Sequence, residues 1–128
     1  MNMKAYFDQT KGFGVLSTAD SEGRVNAAVY SRPHVMDDGQ LAFIMRDRLT
    51  HSNIQSNPHA TFLFREDGPG YKGQRLYLTK VSEEQDTDRL YQLRRRTSPT
   101  DAEKDGPRFL VFFRLDKTLP LIGADTNG

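Results

Sequence analysis

Apolar side chains fall along this chain in short runs separated by turn-forming residues, a rhythm that predicts strands more than helices. Residues 13–18 (Phe-Gly-Val-Leu-Ser-Thr) are rich in β-forming side chains and stop at Asp20-Ser21-Glu22-Gly23, a polar turn cluster. Residues 24–31, carrying Val25, Ala27, Ala28, Val29 and Tyr30, predict a second strand. The turn Asp37-Asp38-Gly39 then leads into a third, Leu41-Ala42-Phe43-Ile44-Met45. A fourth strand is expected at Ala60-Thr61-Phe62-Leu63-Phe64, a fifth over residues 74–81 around Leu76, Tyr77 and Leu78, and a sixth over residues 109–113.

Between these runs the pattern turns helical in three places. Residues 3–11 predict one or two turns that end before Gly12. The polar stretch from Arg46 to Ser56, with Leu49 and Ile54 as its large apolar residues, reads as a loop entering a short helix that Asn57-Pro58 closes. Ser82 and Gln85 have the spacing of a capping box, with Glu83 and Glu84 in the first turn and Arg94, Arg95 and Arg96 near the last, matching both ends of a helix dipole. A polar loop follows over residues 97–107, and Leu119-Pro120-Leu121-Ile122-Gly123 forms an apolar tail. The expectation is a mainly β, six-stranded antiparallel barrel, plugged by short flanking helices and forming a single domain over residues 1–128.

Composition narrows the function classes. The chain has no cysteine, which removes disulfides, thiolate metal sites and cysteine nucleophiles. Eighteen Lys plus Arg against seventeen Asp plus Glu leave a net charge of +1, which argues against a dedicated nucleic-acid binder. No run approaches the ~20 apolar residues of a membrane span, and the first ten residues do not resemble a secretory signal, so a cytoplasmic protein is expected. His34, His51 and His59 are scattered without metal-ligand spacing, so no metal site is expected. P-loop, G-x-S-x-G and G-x-G-x-x-G motifs do not occur.

The segment from Phe43 to Pro58 carries the most chemistry. A helix N-terminus offers unpaired N–H groups and a positive dipole end, and this one is preceded by Arg46 and Arg48 and opened by Thr50, an arrangement that suits a phosphate. The same residues also suit an ordinary helix start, with Thr50 or Asp47 as the cap and the arginines solvated. His51, in the first turn, is a candidate for a direct ligand contact.

The order of these features resembles one known family. Strand, Ser-Glu-Gly turn, strand with Ala27-Ala28-Val29-Tyr30-Ser31, Asp-Asp-Gly turn, Leu-Ala-Phe-Ile-Met, polar loop, and Asn53-Ile54-x-x-Asn57-Pro58-x-Ala60-x-Phe62 are similar to the pyridoxamine 5′-phosphate oxidase-like, flavin mononucleotide (FMN)-binding split barrels over the first half of the chain. The resemblance implies a Greek-key split barrel, a homodimer, and FMN at the dimer interface. Carried over, Arg46, Arg48, Leu49 and Thr50 would surround the phosphate. Ala28, Val29, Tyr30 and Ser31 would line the ring and ribityl chain, Ile44 and Met45 would offer backbone groups to the ring edge, and Gln74 would touch the flavin.

The chain departs from the family's namesake at Arg48-Leu49-Thr50, where pyridoxamine-phosphate oxidases carry Ser-Arg-Lys, and it has no Trp. A true pyridoxamine-phosphate oxidase is therefore not expected. The implied function is an FMN-dependent oxidoreductase acting with a small-molecule redox substrate or electron donor. The alternatives are a non-enzymatic flavin-binding electron carrier and a barrel that binds the deazaflavin F420 or haem.

Overall fold

In the computed structural model, which describes residues 2–94 and 106–124, the chain forms seven strands and three helices in the described region. Helix α1 (Met3–Gln9) precedes β1 (Gly12–Ala19), β2 (Val25–Val29), β3 (His34–Val35) and β4 (Leu41–Arg46). Helix α2 (Leu49–Ser56), β5 (His59–Glu66), β6 (Gly73–Gln85), α3 (Asp88–Leu93) and β7 (Arg108–Pro120) complete the order. The strands make one antiparallel sheet in the order β2-β1-β5-β6-β7-β4-β3. The sheet does not close by pairing its two ends: β2 is bonded to β1, and the opposite edge is β3 on β4.

Three sequence expectations are corrected. The sheet has seven strands rather than six, because residues His34 and Val35 pair with Ala42 and Leu41; a two-residue strand behind Pro33 is too short to show an alternating pattern. The capping box at Ser82 and Gln85 does not form, because β6 continues through both residues and pairs Ser82 with Phe112 and Gln85 with Phe109. A ladder against β7 satisfies this backbone better than a free helix start. Helix α3 begins later, capped by Thr87, whose Oγ1 accepts from Leu90 N at 3.3 Å. The last strand also absorbs Leu119 and Pro120 of the expected tail. Arg95, Arg96 and most of the expected loop over residues 97–107 lie outside the described residues.

The sheet buries one face along most of its length, and on β4 and β7 the other face is buried too, where Ala42, Leu110 and Phe112 pack with Leu90 of α3. Phe7, Phe43, Phe62, Phe64 and Phe113 are at most 2% exposed and meet at ring-centroid distances of 5.0–6.4 Å, mostly edge to face or tilted. Leu16, Leu41, Met45, Leu76 and Leu78 complete this core, as the two-residue period of their strands requires. Helix α1 is held over one end by Tyr6, whose hydroxyl donates to Glu66 at 2.7 Å, and by Arg32, which donates to the carbonyls of Phe7 and Thr10. Bulges between Tyr77 and Leu78 and between Lys80 and Ser82 bend β6, curling the sheet so that β2 and β4 face each other across a gap.

Gly14 sets how closely β1 approaches the chain leaving β2. A Cβ there would meet the Phe62 ring and lie 2.6 Å from the Tyr30 carbonyl. The Gly14 carbonyl works at the same point, accepting from Tyr30 N at 3.1 Å. Gly14→Ala should therefore destabilise the protein by about 1–3 kcal/mol, read as a lower urea midpoint with an unchanged m-value; a midpoint equal to that of the native chain would show that the Phe62 ring yields freely.

Candidate functional site

The gap between β2 and β4 is a cleft of about 480 Å³. One wall comes from Ala28 and Val29 of β2 and from Tyr30 and Ser31 just beyond it. The other comes from Ala42, Phe43, Ile44 and Arg46 of β4, and the start of α2 closes one end with Arg48, Leu49 and Thr50. The volume is in the usual range for a small-molecule site.

Local forces fix these walls. Tyr30 packs edge-on against Phe43, with ring centroids 5.9 Å apart at 89°. Its phenol hydrogen-bonds the Thr50 hydroxyl, which also accepts from Asn26 Nδ2 at 3.4 Å. Burial raises the Tyr30 pKa above the ordinary phenol value, with the Thr50 bond and the Arg48 charge pulling against it. Tyr30 is thus protonated and positioned at neutral pH.

The start of α2 is built differently from the sequence expectation. Neither Thr50 nor Asp47 caps it: Arg48 occupies the cap position, in extended conformation and without a side-chain cap hydrogen bond. Thr50 is inside the helix and buried, where its hydroxyl serves Asn26 and Tyr30 instead. The first-turn N–H groups are therefore left to an acceptor from outside the helix, with Arg46 and Arg48 beside them.

The structure brings most of the sequence-selected residues to this cleft. Two stay outside it. Met45 alternates with Ile44 along β4 and turns its side chain wholly into the core. Gln74, the second residue of β6, pairs with Phe64 and Pro120, away from the cleft lining. Sequence reasoning missed Asn26, Arg32, His34, Ala42, Phe43 and Arg94 as lining residues. The alternation of β4 was a usable signal for Ala42, whose partner Ile44 was selected.

Arg94 is the informative omission, since the Arg run was read as satisfying a helix dipole. Arg94 instead lies just past the last turn of α3, at its C-cap. Its guanidinium sits 5.4 Å from the centroid of the Tyr91 ring, and its Nε is buried with no hydrogen-bond partner among the described residues, while the side chain lines the cleft. A buried donor without an acceptor is costly, which marks this position as one that an anionic or carbonyl group from a ligand would complete.

His51 is turned to the other side of α2, away from the cleft lining. It is 7% exposed, and its ring stacks on Phe109 with centroids 3.7 Å apart at 13°. Nε2 lies 3.0 Å from Glu83 Oε2, and Nδ1 lies 3.8 Å from Asp47 Oδ1. Glu83 also accepts from Lys80 Nζ at 2.7 Å and Gln55 Nε2 at 2.8 Å. Burial raises the Glu83 carboxyl, but the bonds from Lys80, Gln55 and His51 outweigh it and hold the group down at about 2.

Among the described residues, no group of three or more His, Cys, Asp or Glu side chains is arranged to hold a metal ion. No described helix is long and apolar enough to cross a membrane.

No protein-family model and no curated protein matches the chain. Solved structures do, and they show its fold: the chain is similar in fold to proteins described as FMN-binding and as pyridoxamine 5′-phosphate oxidase-like. An FMN-binding protein from Syntrophomonas wolfei subsp. wolfei matches with a TM-score of 0.69 at 19% identity, over 95% of this chain and 85% of that one. A protein from Lactobacillus delbrueckii, provisionally assigned as a pyridoxamine 5′-phosphate oxidase, matches with a TM-score of 0.68 at 15% identity, over 93% and 92% of the two chains. HutZ, the haem storage protein of Vibrio cholerae, matches with a TM-score of 0.69 at 16% identity, over 92% and 91%.

The Glu83 cluster supports stability in a defined pH window. Because the folded carboxyl is held near 2 against an ordinary value of 4.5, its contribution is complete above about pH 4.5 and is lost as pH falls toward 2. Glu83→Gln should cost about 1–3 kcal/mol at pH 7, and its deficit relative to the native chain should shrink across that acid window in urea titrations. A deficit independent of pH down to 2 would show that the cluster does not act through the Glu83 charge.

Proposed function

We propose that this protein binds FMN in the cleft between β2 and β4 and acts as a flavin-dependent oxidoreductase, as a homodimer. The observation that carries the reading is the single cleft in which an uncapped helix start with Arg46 and Arg48 adjoins an apolar wall of Ala28, Val29, Phe43 and Ile44. The first part has the chemistry of a phosphate site and the second that of a flat ring system. The donor set therefore fits the cofactor. Arg46, Arg48 and the first-turn N–H groups of α2 would hold the phosphate, and Thr50 and Tyr30 would set the polar edge beside it.

When bound, FMN supplies the hydride or electron transfer, so the protein need not encode a catalytic acid or base. Its residues bind, orient and exclude water. Phe43 and Ile44 keep the wall apolar, and Tyr30 holds a proton at its phenol oxygen next to Thr50. Arg94, whose buried Nε has no partner among the described residues, would give the cleft a further cationic point for an acidic substrate.

A second copy would complete the cleft from outside. Val29, on the edge strand, pairs with Val15 and through it lines up with Leu63, forming an apolar row across the outer face of β2, β1 and β5. Val29 is 68% exposed and Val25 82%, unusual for apolar residues on a sheet edge and suited to a subunit contact. Val29→Lys should convert the dimer to monomer in sedimentation equilibrium at micromolar concentration while leaving the far-ultraviolet spectrum unchanged. A native chain that sediments as a monomer would remove the proposed dimer.

Haem is the second reading, favoured by one observation: His34 lines the cleft and could supply an axial ligand. The absorption spectrum of freshly purified protein separates the cases, because FMN, F420 and haem have distinct visible bands. For FMN, Arg48→Ala should weaken FMN about tenfold, or ~1.4 kcal/mol, and riboflavin much less, since only FMN carries the phosphate. Equal losses for both ligands would sink the phosphate assignment. Turnover of nicotinamide cofactor with an added acceptor supports the enzyme, and reversible reduction without turnover supports an electron carrier.

A further inference from the structure

The described residues that line the cleft carry fixed charge of one sign. Arg32, Arg46, Arg48 and Arg94 are among them and no Asp or Glu is, although the whole chain has seventeen acidic residues against eighteen basic ones. A cleft of one sign with apolar walls focuses its field on the space inside and concentrates anions there. A phosphate at the start of α2 would account for Arg46 and Arg48. Arg32 is tied into the fold, donating to the carbonyls of Phe7 and Thr10. Neither role covers Arg94.

Arg94 reaches the cleft from a different helix. Ala42 lines the cleft and also belongs, with Leu90, Leu110 and Phe112, to the apolar cluster under α3; Ile44 lines the cleft and packs against that cluster. Leu93 packs there too, and Arg94 follows it at the C-cap of α3, in extended conformation. The guanidinium lies over the Tyr91 ring, an attraction that engages its charge and leaves the buried Nε–H without an acceptor among the described residues. An arginine that only balanced the helix dipole would keep its N–H groups in water. Burying Nε at the cleft serves no such purpose and carries a cost that an acceptor inside the cleft removes.

Charge and geometry set the class of that acceptor. Two arginines beside a helix start suit a doubly charged phosphate, whereas one guanidinium suits a single negative charge. Its Nε–H and a neighbouring Nη–H form a fork that matches the two oxygens of a carboxylate. The wall beside it, Ala42 and Ile44, is apolar. We propose that the cleft has a second anion subsite, in which Arg94 takes the carboxylate of a small organic acid with an apolar body, the redox partner of the flavin. That the acid is the redox partner rests on the flavin reading of the cleft; the subsite itself rests on Arg94.

Benzoate is the probe, and benzamide is its neutral counterpart of nearly the same shape. Both are titrated into FMN-loaded protein and followed by the shift of the flavin absorption bands and by the Nε–H NMR resonance of Arg94, which Arg94→Gln assigns by removing it. Benzoate should bind about tenfold more tightly than benzamide, alongside FMN and not in its place. Arg94→Gln lies past the last turn of α3, leaves the core intact, and should bind the two probes alike.

Equal affinity of the native chain for benzoate and benzamide, a preference retained in Arg94→Gln, or displacement of FMN by benzoate overturns the proposal. If the chain takes up no FMN, the same titration is read from the Nε–H resonance alone. A preference for benzoate then removes the flavin reading and keeps the carboxylate subsite, and no preference removes both.

Discussion

An antiparallel sheet that does not pair its two end strands must do something else with the space between them, and this constraint organises the whole structure. β2 is bonded on one side to β1, and the far end of the sheet is β3 on β4, yet the curl of the long strands brings β2 and β4 opposite each other. The two strands do not pair, and the space between them is lined by both apolar and cationic side chains. Tyr30 wedges into it against Phe43, the start of α2 closes one end, and Arg94 reaches in from α3. The close approach at Gly14 is part of the same arrangement, because it lets the chain leave β2 at the angle that points Tyr30 across the gap.

Helix α2 stands between two environments of opposite character. On the cleft side its uncapped start and two arginines present positive charge to a space lined by small and aromatic side chains. On the side away from the cleft His51, Gln55, Glu83 and Lys80 satisfy one another beside Phe109, with a carboxylate kept ionised by its donors despite partial burial. Such a cluster is costly to assemble and more costly to leave half-paired, so it fixes the rotation of the helix more firmly than the few apolar residues of α2 could alone. The direction in which the N–H groups of the first turn point is therefore set from behind.

The strand runs and most of the cleft were legible because both depend on local patterning. Alternation in residues 13–18 and 60–64 reports which side chains face the core, the unbroken apolar run 109–113 reports a strand buried on both faces, and the Arg46 to Thr50 joint is a contiguous stretch of chain whose chemistry can be read in order. Ser82 to Gln85 shows the limit. Its capping-box spacing is genuine, but the same residues lie opposite a strand two dozen or more positions away, and pairing with Phe109 to Phe112 outweighs a local preference worth about 1 kcal/mol.

What the amino-acid order determined by itself is the mainly β character, the positions of the turns, and an arginine-flanked helix start after a buried strand, since each follows from interactions between residues close in sequence. Only the tertiary structure decided that the sheet stays open, that Met45 faces the core and Gln74 lies off the cleft, and that Arg94 leaves its helix to line the site. It likewise decided that His51 serves a carboxylate pair rather than the cleft. These outcomes depend on which distant strands share a ladder and on which side chains can satisfy one another once water is excluded. Spacing along the chain carries no record of either.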